Sequence, residues 1–160
     1  MPTRADTAWL LLRQLDSTVE PLADRPLNRP AKGWISAVRH AIGMSSLQLA
    51  ERLGITRSAV HALETREQEH TTTLEALQRA ADAMECDLVY ALVPRAGSFT
   101  RTVEARANGM ARRLTSRAGH TMALEAQSVE GKGAAEQEKV MTRRLLAELP
   151  RDLWDRSWDG

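Results

Sequence analysis

The chain has 160 residues, 42% of them hydrophobic and 27% charged, and its formal net charge is only +1. This size fits one ordinary domain, or a small domain with an extension. The single cysteine, Cys86, excludes an intrachain disulfide and the common zinc-finger patterns. No apolar run approaches the roughly 18 residues of a membrane span, and no cleavage site follows the short N-terminal apolar patch. The sequence therefore predicts a soluble, cytoplasmic protein with no membrane partner.

Residues 5–94 divide into four stretches by pattern. Residues 5–23 have the apolar spacing of an amphipathic helix. The stretch 21–33 holds three prolines and ends in glycine, which is typical of a linker or arm. Residues 33–85 are predicted to form a run of short helices. The segment DLVYALVP (87–94) is apolar, rich in β-branched residues and closed by proline, which predicts a short strand.

Two longer helices are predicted towards the C-terminus. The first covers about 99–125, and its apolar positions recur at spacings of 4, 3, 4 and 4 from Val103 to Ala118. A loop is predicted at 128–137, followed by a second helix at about 135–149 that Pro150 ends. Along the first of these helices Arg106, Arg113 and Arg117 are spaced by 7 and 4 residues and share one face. This face is a possible contact for DNA phosphates or an acidic partner, or a solvated face with intrahelical pairs.

The stretch MSSLQLAERLGITRSAVHALE (44–64) carries the local signals of a helix-turn-helix. Ser45 and Gln48 have the spacing of a capping box at the start of one helix. Ala50 is small where two crossing helices approach, and Gly54 supplies the positive φ of a tight turn. Thr56 is predicted to cap the second helix. A helical hairpin in a bundle that does not bind DNA would share part of this pattern.

The block 34–64, and QLAERLGITRSAVHALE within it, resembles the Xre/phage Cro–repressor family, in which the second helix enters the major groove of DNA. The resemblance implies DNA contacts by Ser45, Ser46, Thr56, Arg57, Ser58, His61 and Ala62. Arg57 is the main candidate for base readout, since arginine can donate two hydrogen bonds to guanine. His61 could meet a base edge or a phosphate, and the two serines would face phosphate. Many relatives carry glutamine where Ser46 stands, so this departure weakens one expected anchor without removing the backbone donors.

Three further residues around this motif carry structural predictions. Glu64 is expected to close a structural hydrogen bond rather than contact DNA. Thr72 and Glu75 have capping-box spacing and predict the start of another helix.

The fold class predicted from the whole sequence is mainly α: a Cro/repressor-like helix-turn-helix domain with one short β-strand and a C-terminal helical extension. The predicted divisions are an N-terminal helix and proline-rich arm (1–32), the DNA-binding domain (33–86), the strand (87–95) and the extension (96–160).

A narrower resemblance covers most of residues 5–155. The segments RPAKGWISAVRHAIGMSSLQLAERLGI, TLEALQRAADAMECDLVYALVP, HTMALE and LAELPRDLWD are similar to the bacterial family named mobile mystery protein A. Its members are typically encoded on mobile elements beside a Fic-domain protein, which implies an antitoxin-like repressor of a shared promoter. A Fic-inhibiting helix reads Ser/Thr-x-x-x-Glu-Gly/Asn. Thr121 and Glu125 match that motif, but Ala126 stands where Gly or Asn is expected.

Two classes of function follow from these patterns. The first is a sequence-specific transcriptional repressor, bound as a homodimer to an inverted repeat and joined through the 87–94 strand. The alternative is a protein-binding module that holds or inhibits a partner, with incidental DNA binding. An enzyme is not expected, because the four histidines have no metal-ligand spacing and no phosphate loop is complete. No catalytic, cofactor-binding or metal-binding residues are predicted.

Overall fold

The computed structural model of the protein describes residues 1–23, 28–124 and 131–155. Within these ranges the chain forms seven α-helices and one short 3-10 helix. The α-helices are α1 (Arg4–Ala23), α2 (Trp34–Ala41), α3 (Ser46–Leu53), α4 (Arg57–Gln68), α5 (Leu74–Ala83), α6 (Phe99–Leu124) and α7 (Gly131–Glu148); the 3-10 helix is Arg151–Trp154. The chain divides into two compact units. The central unit is Pro26–Ala91, and the terminal unit joins Met1–Arg25 to Leu92–Gly160.

The central unit contains the helix-turn-helix, and its local signals act as the sequence predicts. The Ser45 hydroxyl accepts from the Gln48 backbone N–H at 3.2 Å, and the Gln48 side chain accepts from the Ser45 N–H at 2.8 Å. Gly54 ends α3 with a φ of 68°, a conformation that costs glycine little. Thr56 then caps α4 by accepting from the Ala59 N–H at 3.1 Å. These residues fix where α3 begins and ends and where α4 begins.

Burial of apolar side chains from four helices holds the central unit together. Leu49 and Val60 are fully buried, and Ala50 is almost so where α3 approaches its neighbours. The core cluster comprises Ile35, Leu49, Ala50, Val60, Leu63, Ala80, Ala83 and Met84. Burying a leucine or valine contributes about 1.5–3 kcal/mol. The outer face of α4 is therefore fixed by the side chains beneath it.

The start of α5 differs from the prediction by one residue. Thr73, not Thr72, is the N-cap, and its side chain accepts from the Ala76 N–H at 3.1 Å. The Thr72 hydroxyl is buried and makes no hydrogen bond within the described part of the chain. The predicted capping box of Thr72 and Glu75 is wrong. Thr73 has the same hydroxyl group one residue further along the chain, and it is this hydroxyl that caps α5.

The predicted strand at 87–94 is also wrong. Residues 86–94 have no regular secondary structure, and no strand occurs in the residues that the structure describes. Val89, Tyr90 and Leu92 are largely exposed. A strand requires a neighbour to complete its backbone hydrogen bonds, and apolar, β-branched composition alone does not supply one.

The terminal unit packs α1 against a hairpin of α6 and α7. Its core comprises Val103, Ala107, Met110, Ala111, Leu145 and Leu153, with Trp9 and Leu12 of α1 packed against it. The Trp9 indole N–H donates to the Leu146 carbonyl at 2.9 Å. Helix α7 begins at Gly131, so the predicted loop at 128–137 is wrong from residue 131 onwards, and its first three residues lie outside the described ranges. Helix α1 thus joins a unit formed mainly by the end of the chain.

Asp16 links α1 to the start of α6. Its two carboxylate oxygens accept from the Phe99 and Thr100 backbone N–H groups at 2.6 and 3.1 Å. Burial, the largest single effect, opposes ionisation, but hydrogen bonds from the Thr100 side chain and from both backbone groups together lower the pKa of Asp16 below its usual 3.8. The carboxylate therefore caps α6 in its charged form. Its contribution to stability is present above about pH 4 and is lost at lower pH.

The helices differ in length and in hydropathy. Across the described ranges, none is both long enough and apolar enough to cross a membrane.

Candidate nucleic-acid interface

The outer face of α4 carries most of the residues that the sequence assigns to DNA contact. Arg57, Ser58, His61 and Ala62 are all exposed, while Val60, Leu63, Glu64 and Glu67 of the same helix are buried. At 100° per residue, the four exposed positions fall within one side of the helix. Thr65 extends this face by one turn and is also exposed. Sequence reasoning did not include Thr65, although its spacing of 7 from Ser58 places it there.

Ser46, at the start of α3, contacts the first residue of α4. The Arg57 Nε donates to the Ser46 hydroxyl oxygen at 3.0 Å. A guanidinium bonded through Nε still has N–H donors on both terminal nitrogens. The Ser46 contact therefore orients Arg57 while leaving the bidentate donor edge that guanine recognition requires.

The two predicted phosphate-facing serines differ in exposure. Ser45 is exposed and serves as the α3 N-cap, whereas Ser46 is buried. Each hydroxyl accepts one hydrogen bond within the protein, from Gln48 and Arg57 respectively. A hydroxyl that accepts in this way retains its own proton as a donor. The start of α3 can therefore still offer hydroxyl and backbone donors to an anion.

A buried ion pair between Arg39 and Glu64 lies on the inner face of α4. The Arg39 Nε lies 2.8 Å from the Glu64 Oε1, and the two side chains are only 7% and 8% exposed. Arg39 also donates from a terminal nitrogen to the Met44 carbonyl at 3.1 Å. This geometry confirms the structural hydrogen bond expected of Glu64. The second Glu64 oxygen lies 3.7 Å from Nδ1 of His61 on the exposed face.

Glu67 joins the end of α4 to the beginning of α2. Its carboxylate oxygens accept from the Trp34 and Ile35 backbone N–H groups at 2.6 and 3.0 Å. The N-cap residue of α2 is Gly33, which has no side chain to satisfy these donors. Sequence reasoning missed this role because the acceptor lies 33 residues from the helix that it caps.

The three arginines proposed for phosphate or partner contact lie in the terminal unit. Arg106 donates from Nε to the Leu153 carbonyl at 3.1 Å, and its guanidinium lies 5.3 Å from the centre of the Trp154 ring. Arg113 is half-buried and Arg117 is exposed. Arg106 therefore holds the C-terminal 3-10 helix against α6. The three arginines differ in their surroundings, although their spacing along the sequence predicts one helix face.

Two other features bear on the predicted chemistry. No group of three or more histidine, cysteine, aspartate or glutamate side chains that could hold a metal ion occurs among the described residues. The last two positions of the Fic-inhibitor-like pattern, Glu125 and Ala126, lie outside the described residues.

The two capped helices, the left-handed turn between them and the exposed face of the second define a helix-turn-helix DNA-binding module. Residues 35–90, about a third of the chain, match a family described as "Helix-turn-helix". The chain therefore contains an Xre-type helix-turn-helix domain, which is characteristic of DNA-binding transcription regulators. No curated protein and no solved structure gives a significant match to the chain.

Proposed function

We propose that the protein is a sequence-specific transcriptional repressor that binds an operator upstream of its own gene. The observation that carries this proposal is the Ser46–Arg57 contact, 3.0 Å long, at the start of the exposed face of α4. It holds an arginine where a helix entering the major groove would meet base edges. Ser58, His61 and Ala62 would contact the neighbouring bases or phosphates, while Ser45, Ser46 and the capped start of α4 at Thr56 would contact the backbone.

The low net charge limits how this repressor would bind. With a formal charge of +1, the protein has little excess positive charge for non-specific binding, which depends on phosphate neutralisation. Donors at the helix starts add to binding without adding formal charge. We therefore expect weak binding to unrelated DNA and a shallow dependence of the specific dissociation constant on salt.

Arg57→Ala should weaken binding to the operator by about 1–3 kcal/mol, or about 5- to 150-fold, because it removes a bidentate base contact. Fluorescence anisotropy would measure the dissociation constants for DNA from upstream of the gene and for shuffled DNA, at two salt concentrations. The loss of affinity should be confined to the upstream DNA. At the base pair that Arg57 is proposed to contact, the variant should distinguish less well between the correct base and the other bases.

Arg52→Ala is the matched control for Arg57→Ala. It removes the same charge from the same unit, but Arg52 pairs with Glu85 at 2.9 Å and lies outside the proposed contact face. Its effect on operator binding should be less than about twofold. Equal losses from the two variants, or equal affinity of the wild-type protein for upstream and shuffled DNA, would contradict base readout by Arg57.

The proposed repressor acts as a homodimer on an inverted repeat. Support comes from an apolar surface on the central unit, where Trp34, Val89 and Tyr90 are exposed. Trp34 and Val89 also line a pocket of about 270 Å³. Its other lining residues are mainly apolar (Ile35, Val38, Leu77, Ala81, Met84, Cys86 and Leu88), with Glu67 and Asp87 as the acidic ones. An apolar patch of this kind is typical of a subunit interface. A two-fold dimer would present two α4 helices to half-sites about one helical turn apart.

Replacing Val89 and Tyr90 by aspartate should convert the dimer to monomers, because charges would be buried without partners at the interface. Sedimentation velocity at micromolar concentration would measure the change. Leu74→Asp is the control: Leu74 is exposed at the first turn of α5, where an acidic residue is compatible with the helix dipole. A wild-type protein that sediments as a monomer, both free and on operator DNA, would contradict the dimer.

We further propose that the repressor is the antitoxin-like member of a pair with a Fic-domain protein on a mobile element. The support is the resemblance of residues 5–155 to the mobile mystery protein A family, and its consequence is autoregulation of a shared operon. Arg106, Arg113 and Arg117 are proposed to contact DNA phosphates or an acidic surface of that partner. The proposal for these arginines rests on their spacing along α6.

A further inference from the structure

Helix α1 has an apolar stripe in addition to the one that packs on the core. Ala5 and Val19 are buried, and Trp9 and Leu12 pack against the terminal-unit core. A neighbouring stripe, formed by Ala8, Leu11 and Leu15 at spacings of 3 and 4, lines an open groove instead, with Arg4 one turn before Ala8.

The end of the chain forms the opposite wall of this groove. After α7 the backbone turns at Leu149, whose φ is +44°, and continues through Pro150 into the 3-10 helix. Leu149, Pro150, Arg151, Leu153 and Trp154 line the groove together with Leu12 and Val103, and its volume is about 370 Å³. We call this the α1 groove. Arg106 stabilises this wall, since it bonds to the Leu153 carbonyl and stacks on Trp154.

Large apolar side chains remain accessible along the α1 groove. Leu11 is 54% exposed and Trp154 is also 54% exposed, although each lies beside other apolar groups. Contiguous exposed apolar surface of this kind marks interaction sites in folded proteins. Among the described residues that line the groove, the charged ones are Arg4 and Arg151, and none is acidic. The surface is therefore an apolar channel with a basic rim.

We propose that the α1 groove binds an amphipathic helix of a partner protein, with apolar anchors on one face and acidic residues beside them. A helix laid in a groove presents apolar anchors on one face, at positions such as i, i+3 and i+7, which is also the spacing of Ala8, Leu11 and Leu15 along α1. Aspartate or glutamate next to these anchors would meet Arg4 and Arg151, whereas lysine or arginine would be repelled. The proposal is independent of DNA binding, because it uses only residues of the terminal unit.

The test uses the full-length protein and a phage-displayed library of random peptides of about 16 residues, long enough for roughly four helical turns. Enriched peptides are synthesised with a fluorescein label, and their dissociation constants are measured by anisotropy. We expect enriched sequences with leucine-type residues at i, i+3 and i+7 and with acidic neighbours. Their binding should weaken as salt screens the contacts with the rim.

Leu11→Asp should weaken binding of the enriched peptides at least about tenfold, because it places a charge in the apolar channel. Leu10→Asp is the matched control: Leu10 is 63% exposed but does not line the groove, so its effect should be less than about twofold. The double reversal Arg4→Glu and Arg151→Glu should turn the preference towards lysine-containing twins of the same peptides. Arg57→Ala should leave peptide binding unchanged.

Several outcomes would overturn the proposal. These are no enrichment, enriched peptides without acidic residues, and equal losses from Leu10→Asp and Leu11→Asp. Sedimentation velocity provides a separate check: if Leu11→Asp converts a dimer to a monomer, a second copy of the chain covers the groove. Circular dichroism of each variant would show whether the helices are retained, so that a loss of binding is not mistaken for unfolding.

Discussion

Glu64→Ala is expected to destabilise the central unit by about 3–5 kcal/mol, because it leaves the Arg39 charge buried without its partner. The Arg39–Glu64 pair is 2.8 Å long, and both side chains are less than a tenth exposed. Arg39 would retain its bond to the Met44 carbonyl, which cannot neutralise the charge. Amide hydrogen exchange would locate the effect: protection should fall in α3 and α4, while amides in α6 provide an internal reference.

A surface ion pair provides the comparison for Glu64→Ala. Arg52 and Glu85 lie 2.9 Å apart, as close as the buried pair, but their side chains are 44% and 80% exposed. Arg52→Ala should therefore cost only about 0–1 kcal/mol. Replacing both buried partners, as Arg39→Met with Glu64→Leu, should restore much of the stability lost by Glu64→Ala. If Glu64→Ala and Arg52→Ala cost the same, burial does not determine the strength of these pairs.

The buried pair also affects the DNA-binding face. Glu64 lies beneath His61, with 3.7 Å between the carboxylate oxygen and the ring nitrogen. Loss of the carboxylate would therefore change the environment of a proposed DNA contact as well as the stability of α4. Operator binding by Glu64→Ala should be measured only under conditions in which the α4 amides remain protected from exchange. The effect on the DNA contact is then separated from the effect on stability.

The helix-turn-helix could be predicted from the sequence because its determinants are local. The Ser45–Gln48 box, the left-handed turn at Gly54 and the Thr56 cap each involve residues within a few positions of one another. Apolar spacing then assigns the buried face of each helix. The exposure of Arg57 and His61 follows from the same periodicity.

Long-range contacts explain most of what could not be predicted. The bond from Phe99 to Asp16 spans 83 residues, and the bond from Trp9 to Leu146 spans 137. Nothing in the pattern of α1 indicates that its partners lie at the other end of the chain. Likewise, the composition of 87–94 indicates side chains that suit a strand but cannot supply the neighbouring strand. The α1 groove could not be predicted for the same reason, since its two walls are distant in sequence.

Glu67→Ala should destabilise the central unit by about 2–4 kcal/mol, because two backbone N–H groups at the start of α2 lose their acceptors. The Trp34 and Ile35 N–H groups donate to this carboxylate at 2.6 and 3.0 Å. Gly33 has no side chain to replace it. Urea denaturation followed by circular dichroism would measure the change. Glu69→Ala, at an exposed position just beyond α4, should cost less than about 0.5 kcal/mol.

Gly33 provides a second way to test the Glu67 cap. A Cβ at position 33 would lie 2.6 Å from the Glu67 Oε2, and the backbone there has φ 80° and ψ 165°, a conformation essentially restricted to glycine. Gly33→Ala should therefore destabilise the wild-type unit through both a clash and backbone strain. In the Glu67→Ala background the clash is absent, so the second substitution should cost less. Strictly additive costs would show that the Gly33 backbone and the Glu67 carboxylate are not coupled as their close approach implies.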